Sequence, residues 1–387
     1  MVKVVLVVLT VPIVSFGVFW VYNGQLRQTN EPTGGKQTPA KPKIVGMESR
    51  VLFLGNTFWG RYIDDWSKQS GQGVEYPFSR LNEFERDKYD AWISGLECPT
   101  VAGDTATSAQ QEETLSFNCS PDYLPEAAKW FTAFTLANNH TDNRGAEGFV
   151  ETKQQLEKNG IQYFGHYDPR VVDEACGVVQ LPVRLNYDNQ TTKEANLPMV
   201  FCGYHGVFMI PPAESLAKVA QYSQLMPVFA MPHMGAEYKS APDEIKTSTY
   251  HAMIDGGAEM VLGDHPHWVQ STEAYGGKLI AYSMGNFMFD QQYNTEVTRS
   301  AAIDVTMTSA NSDIEQWVEV GKECGSDIAK CVELASERGL SKLSLSYKFD
   351  IVGSDNSGKT AHKATNEQLT AIKQRLNWDI TMQGLVK

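Results

Sequence analysis

The sequence contains no Cys-x-x-Cys pair, so neither a zinc knuckle nor a thioredoxin-type motif is supported. It contains no run of five or more Lys or Arg residues. Basic residues are the minority, with 33 Lys and Arg against 46 Asp and Glu and a net charge of −13. At a pI near 5.1 no broad positive field draws phosphates in, which argues against a dedicated nucleic-acid binder. The same deficit removes long-range attraction for any polyanion. No internal repeat is evident. Charged residues make up 20% of the chain and hydrophobic residues 42%, which excludes a mostly disordered protein. At 387 residues the chain is too long for a small disulfide scaffold. One large domain with additions, or two domains, fits that length.

What is present begins at the N-terminus. Val4 to Tyr22 carries no charge over 19 residues. At ~1.5 Å per residue such a helix crosses a bilayer core of roughly 30 Å. A buried core helix and a cleaved signal peptide are the competing readings. The terminal position and the polar segment that follows oppose the first. The ending Phe19-Trp20-Val21-Tyr22, which is no small-x-small cleavage site, opposes the second. The reading adopted is a single-pass anchor over residues 1–22, followed by a Pro/Gly/Thr/Gln/Lys linker over residues 23–46. Charge bias pulls the other way. Lys3 alone precedes the run while Arg27, Lys36, Lys41 and Lys43 follow it, so the positive-inside rule by itself places the body in the cytoplasm. Cysteine usage bears on that conflict. The six cysteines, in chain order, suggest local pairs 98–119, 176–202 and 324–331. The alternative is six buried free thiols. Disulfides point to an oxidising, extracytoplasmic setting.

From Arg50 onward short apolar runs alternate with helical patterns, which predicts an α/β fold with buried strands. Strands are expected at 51–54, 91–94, 131–136, 161–164, 178–185, 197–204, 228–231, 260–262, 279–282 and 301–307. Helices are expected at 79–87, 121–130, 145–159, 212–224 and 242–255. One domain spans 47–310. The weaker pattern of 311–387 reads as an extension, appended to that domain or packed upon it.

In such a fold the residues just past strand ends gather at one rim. Here those positions hold Asn56, Glu97, Asn138-Asn139-His140, His233 with Glu237-Tyr238, and Asp264-His265-Pro266-His267. Four of the eight histidines are among them. Imidazole nitrogens with carboxylate and amide oxygens suit Zn²⁺, Mn²⁺ or Fe²⁺. An H-x-H pair on an extended segment directs both rings to one side.

The ordered motifs Gly55-Asn56, Leu96-Glu97, Ala137-Asn138-Asn139-His140-Thr141, His233-Met234-Gly235-Ala236-Glu237-Tyr238, Gly263-Asp264-His265-Pro266-His267 and Tyr282-Ser283-Met284-Gly285-Asn286-Phe287 carry a resemblance over about residues 50–290. The chain resembles the CapA/PgsA family of capsule and poly-γ-glutamate synthesis proteins. The domain of that family is similar to calcineurin-like metallophosphoesterases. The resemblance implies a sandwich of two packed β-sheets flanked by helices, anchored at the membrane with the domain outside. It implies synthesis or export of a capsule-like polymer, alongside membrane-embedded synthase or exporter subunits. It places Asn56, Glu97, Asn139, His233, His265 and His267 as metal ligands and His140 as proton donor or transition-state contact. Asn138, Glu237, Tyr238 and Asn286 fall around the substrate. Three positions depart from the family. Asn56 replaces the usual Asp, Gly95 the usual Asn before Leu-Glu, and Asn143 the usual Asp three residues after the histidine. Glu97 is then the only ionised ligand, so one divalent ion, or weak binding, is expected rather than a tight dinuclear centre. A phosphoesterase or other hydrolase of envelope material, and a non-catalytic subunit of a synthase, are the alternatives.

Overall fold

The computed structural model describes residues 41–385. The expected anchor over residues 1–22, and the linker up to residue 40, lie outside the described residues. Among the described residues no helix is long and apolar enough to cross a membrane. The end of the expected linker is already strand, because β1 covers Ile44–Thr57.

Fourteen strands form one continuous sheet that forks at β1. The first fork holds β2 (Ala91–Leu96), β3 (Ala133–Thr135) and β4 (Gln162–Phe164), each parallel to its neighbour. It leaves β1 at Val51–Thr57. The second leaves at Ile44–Glu48 through antiparallel β5 (Cys176–Tyr187) and continues into β6 (Thr192–Gly206), β7 (Val228–Met234) and β8 (Met260–Leu262). It ends in the hairpin of β9 (Thr272–Tyr275) and β10 (Lys278–Ala281). A short β11 (Asn286–Met288) pairs with the end of β1. On the other side of β1 lie β12 (Arg299–Ser309), β13 (Ser346–Asp355) and β14 (His362–Lys363).

The fork is the point of difference from two separate sheets. At fourteen residues β1 is long enough to give its two halves to different partners. Its alternation then serves two cores. Val51 and Phe53 face inward between the forks, where Phe53 meets the rings of Phe201 at 6.4 Å and Phe229 at 6.5 Å. Leu52 and Leu54 face a second core with Trp59, Phe84, Trp92 and Phe134, closed by short helices and turns. Burial of this many large side chains, at roughly 1.5–3 kcal/mol each, is the main stabilising contribution.

The segment expected as a helix over 79–87 is a pair of 3₁₀ turns, Leu81–Phe84 and Arg86–Lys88. Helices Arg61–Ser70, Ser108–Thr114 and Ile328–Glu337 had no counterpart in the sequence reading. The helix expected at 242–255 runs Glu244–Asp255, and Asp243 caps it by accepting from the Lys246 amide at 2.8 Å. Residues beyond 310 belong to the same body. β13 pairs with β12 along its whole length, and Trp317, Leu376 and Trp378 are buried in the inner core. Disulfides join Cys98–Cys119, Cys176–Cys202 and Cys324–Cys331, and no free cysteine remains among the described residues. Cys98 directly follows Glu97, so the first bridge fixes the chain just beyond that carboxylate. Loops of this size restrict the unfolded chain by about 3 kcal/mol.

Candidate metal centre

The C-terminal ends of β1, β2, β3, β7 and β8 converge on one rim. β1 arrives there by a close approach. A Cβ on Gly55 would lie 1.9 Å from the Gly285 carbonyl oxygen, so only glycine lets the backbone pass and the Asn56 amide donate to that oxygen at 3.0 Å. Asn56 is fully buried, and its Oδ1 has no hydrogen-bond partner.

Glu97 follows β2 and is 1% exposed, with neither carboxylate oxygen hydrogen-bonded. Its Oε1 stands 3.9 Å from His233 Nε2 and 3.8 Å from His267 Nε2. Burial, then the neighbouring Asp264 and Glu237, push its pKa well above the usual carboxylate range. His233 Nε2 lies 2.9 Å from Asn139 Oδ1 and 3.1 Å from His265 Nδ1. One ring proton satisfies only one of those contacts. Glu97, His233 and His265 each offer a ligand atom within 4.8 Å of the others. Orphaned carboxylate oxygens facing crowded imidazole lone pairs fit a divalent cation, which would meet both needs. The residues that would hold it are Glu97, His233 and His265, with Asn139 and His267 adjoining.

His267 donates from Nδ1 to Asn286 Oδ1 at 2.8 Å, which leaves Nε2 bare toward Glu97. Asn286 thus fixes the orientation of the His267 ring from inside the protein. It is fully buried, and its Nδ2 donates to Gln291 Oε1 and to the Val297 carbonyl. Asn138 is likewise committed inward. Its Nδ2 donates to the Leu96 carbonyl at 2.7 Å, and its Oδ1 accepts from the amides of His140 and Thr141. It shapes the turn that carries Asn139 and His140. Glu237 and Tyr238 do line the cleft. Tyr238 stacks on the His267 ring at 5.6 Å and accepts from Gln291 at 2.9 Å.

The His265-Pro266-His267 segment is not extended, as the sequence pattern had suggested. His265 has φ 92° and His267 φ 60°. Left-handed backbone at two non-glycine residues is costly and persists where the surroundings impose it. The rings reach the site through that strain.

His140 stacks on Phe117 at 4.0 Å, and its Nδ1 lies 2.9 Å from Asn143 Oδ1. With Nδ1 protonated toward the amide oxygen, Nε2 is an acceptor. Desolvation lowers its pKa to about 4, and that of His267 also to about 4. Without a carboxylate behind it, His140 is therefore a neutral imidazole near pH 7, and its expected proton-donor role needs a proton gained on substrate binding.

These shifts set an acid sensitivity. Imidazoles whose folded pKa is depressed contribute stability above the unfolded value of about 6.5, and that stability is lost as pH falls through the folded value. The metal-free chain is expected to lose thermal stability from about pH 6.5 down to pH 4. A melting temperature flat across that interval would contradict the buried, neutral state of these rings.

The sequence reading did not single out Arg61, and it placed Asp264 at the rim without giving it a role. Arg61 opens an unexpected helix at φ 42°, is 7% exposed, lines the cleft and pairs with the buried Asp290 at 2.6 Å. It follows the Asn56 strand end by one short loop, which was the available signal. Asp264 is 6% exposed with both oxygens unpartnered. It is a second buried carboxylate near Glu97, and burial pushes its pKa well above the usual carboxylate range. The cleft above these groups measures about 1310 Å³.

Among known proteins, the PGA biosynthesis protein CapA of Bacillus subtilis (strain 168) is 28% identical over 280 residues, 68% of this chain and 69% of its own. The capsule biosynthesis protein CapA of Bacillus anthracis is 23% identical over 308 residues, 75% of this chain and 72% of its own. The crystal structure of TT1561 of Thermus thermophilus aligns at 9% identity over 66% of this chain and 93% of that one. Its TM-score of 0.34 is too slight a likeness to carry an argument. Residues 50–291 match the family described as Bacterial capsule synthesis protein PGA_cap. That match spans more than half of the 387 residues, and the protein belongs to this capsule synthesis family.

Proposed function

We propose that this chain serves the synthesis or export of a capsule-like polymer, poly-γ-glutamate before others, and that its cleft is a divalent-metal site of metallophosphoesterase type. Family membership supports the polymer. The observation that carries the site is Glu97, a buried carboxylate with both oxygens unpartnered, facing His233 and His267 at the base of a large cleft. A bound cation there supplies Lewis-acid activation of water or of an acyl or phosphoryl oxygen.

The chain's own residues do the rest. Asn286 holds His267 through Nδ1 and so turns its Nε2 inward, while Asn139 Oδ1 meets His233 at Nε2 itself. His140 presents a bare Nε2 that takes a proton at one stage of a hydrolysis and returns it to a leaving oxygen at another. Arg61, paired with Asp290, presents a guanidinium edge at the cleft to an anionic substrate group. That local charge matters because the net charge of −13 repels an anionic polymer at long range. Anchoring through residues 1–22, an extracytoplasmic location and membrane-embedded synthase or exporter partners rest on the sequence reading. The three disulfides agree with an oxidising location.

The test is complementation in a capsule-forming host lacking its own copy. The wild-type chain restores surface polymer, and His233→Ala at equal protein level lowers it by about 10–100-fold. Full restoration by His233→Ala would remove the cleft from the polymer's synthesis and leave an accessory subunit.

A further inference from the structure

Among the described residues ten large apolar side chains are exposed. Scattered singly, such residues are ordinary. Five of the ten gather at one place. Phe208 is 80% exposed, Tyr293 63% and Leu115 62%, and all three line the cleft above the metal centre. Met209 and Ile210 are exposed beside Phe208 in the same loop.

The three lining groups come from segments far apart in the chain. Phe208 belongs to Val207-Phe208-Met209-Ile210-Pro211-Pro212, an unbroken apolar run between β6 and the helix Ala213–Ser223. Its ring stands edge-on to the buried His205 at 5.4 Å. Leu115 ends the helix Ser108–Thr114 with φ 50°. The ring of Tyr293 approaches that of Tyr238 at 6.0 Å. Exposed apolar groups brought to one mouth from three segments form a surface, and that surface is continuous with the cleft.

The charge of the cleft limits what it takes. Arg61 is the only Lys or Arg among its lining residues, and it is paired with Asp290. Glu112, Asp142 and Glu237 line it as well, and all three are exposed. A run of carboxylates threaded through the cleft would meet these acids. One anionic group at the base would meet Arg61 and a bound cation, and further affinity then comes from the apolar mouth. The volume of about 1310 Å³ exceeds the roughly 300–1,000 Å³ of ordinary small-molecule sites. It has room for a head group and part of a chain.

We infer that the substrate of this cleft is a lipid phosphate, with a phosphate or phosphodiester head at Arg61 and the metal centre and a single long hydrocarbon chain over Phe208, Leu115 and Tyr293. The place of the head rests on the metal-site reading above, and the tail goes beyond it. The cleft then handles a membrane-held intermediate and not the finished polyanion.

The experiment is calorimetric titration of the Mn²⁺-loaded full chain with ethyl phosphate and with octyl phosphate. Octyl glucoside supplies the same tail on a neutral head, and all three are kept below micelle-forming concentration. Each buried methylene is worth about fourfold, so octyl phosphate is expected to bind at least about 30-fold tighter than ethyl phosphate. It is also expected to bind well above octyl glucoside. Phe208→Ser combined with Leu115→Asn is expected to remove at least about tenfold of the chain-length preference, while ethyl phosphate affinity stays within about twofold. Both side chains are exposed, and asparagine accepts the left-handed backbone of residue 115, so the variant folds. Equal affinity for the two phosphates, or a preference that the double variant keeps, overturns the inference and leaves the metal site standing. Octyl glucoside bound as tightly as octyl phosphate would make the mouth a general apolar docking surface and overturns it too. Binding of neither phosphate overturns it whatever the metal content. A chain that holds no Mn²⁺ contradicts the metal-site reading, and the octyl-to-ethyl ratio is then read on Arg61 alone.

Discussion

Replacing His265 and His267 together by alanine is expected to weaken divalent-metal binding by more than about 100-fold while the chain stays folded. Even outer partners of a ligating imidazole are worth 10–100-fold in affinity, and both rings here bring nitrogens directly to the site. His265 Nδ1 stands 3.1 Å from His233 Nε2, and His267 Nε2 stands 3.8 Å from Glu97. The fold survives because these rings belong to the rim. The two cores are built by other residues, among them Phe53, Phe201 and Phe229 inside the fork and Trp92 and Phe134 outside it. Alanine at φ 92° and φ 60° keeps the backbone strain, and the ring contacts are lost as well. A fall in stability of about 1–3 kcal/mol is therefore expected. Metal analysis and a circular-dichroism melt measure the two effects. Unchanged metal content in the double variant would place the site elsewhere.

Glu97→Gln separates function from stability in opposite directions. Metal affinity falls by more than about 100-fold, because the charge at the centre of the ligand set is gone. The metal-free protein becomes more stable at neutral pH. Burial raises the folded pKa of Glu97. Such a group contributes stability below its unfolded pKa, and that contribution is lost as pH rises through the folded value. The amide does not titrate, so the variant keeps at pH 7 what the acid loses, about 1 kcal/mol or more. Denaturant melts with chelator present check the sign. A metal-free Glu97→Gln less stable than wild type at pH 7 would mean that the carboxylate is satisfied by protein groups, against its unpartnered geometry.

Much of the site was legible because its chemistry lies at strand ends. Asn56, Glu97, Asn139, His233, His265 and His267 sit at the ends of short apolar runs, and parallel strands bring such ends together whatever the intervening lengths. The parts that were not legible depend on contacts between those ends. Asp264 stands at the rim between a glycine and a ligand-like histidine, and the sequence gives it no role of its own. Its place near Glu97 comes from the pairing of distant strands. Asn138 and Asn286 looked available for substrate, but their amides satisfy backbone and ring groups inside the protein. Arg61 was hidden because its helix is mostly polar, with Ile63 its one buried apolar side chain. The fork in β1 was invisible for a similar reason. A continuous apolar run shows that both faces are buried, but it does not show that the two halves of one strand serve different neighbours.

The central claim is that Glu97, His233 and His265 hold a divalent ion. The direct measurement is the metal content of the purified full chain after equilibration with Mn²⁺ or Zn²⁺ and removal of free ion, with a thermal melt before and after chelation. At least one ion per chain, lost to the chelator together with a lower melting temperature, is the predicted result. A folded chain that retains no ion from either solution, and whose melting temperature ignores the chelator, would contradict it.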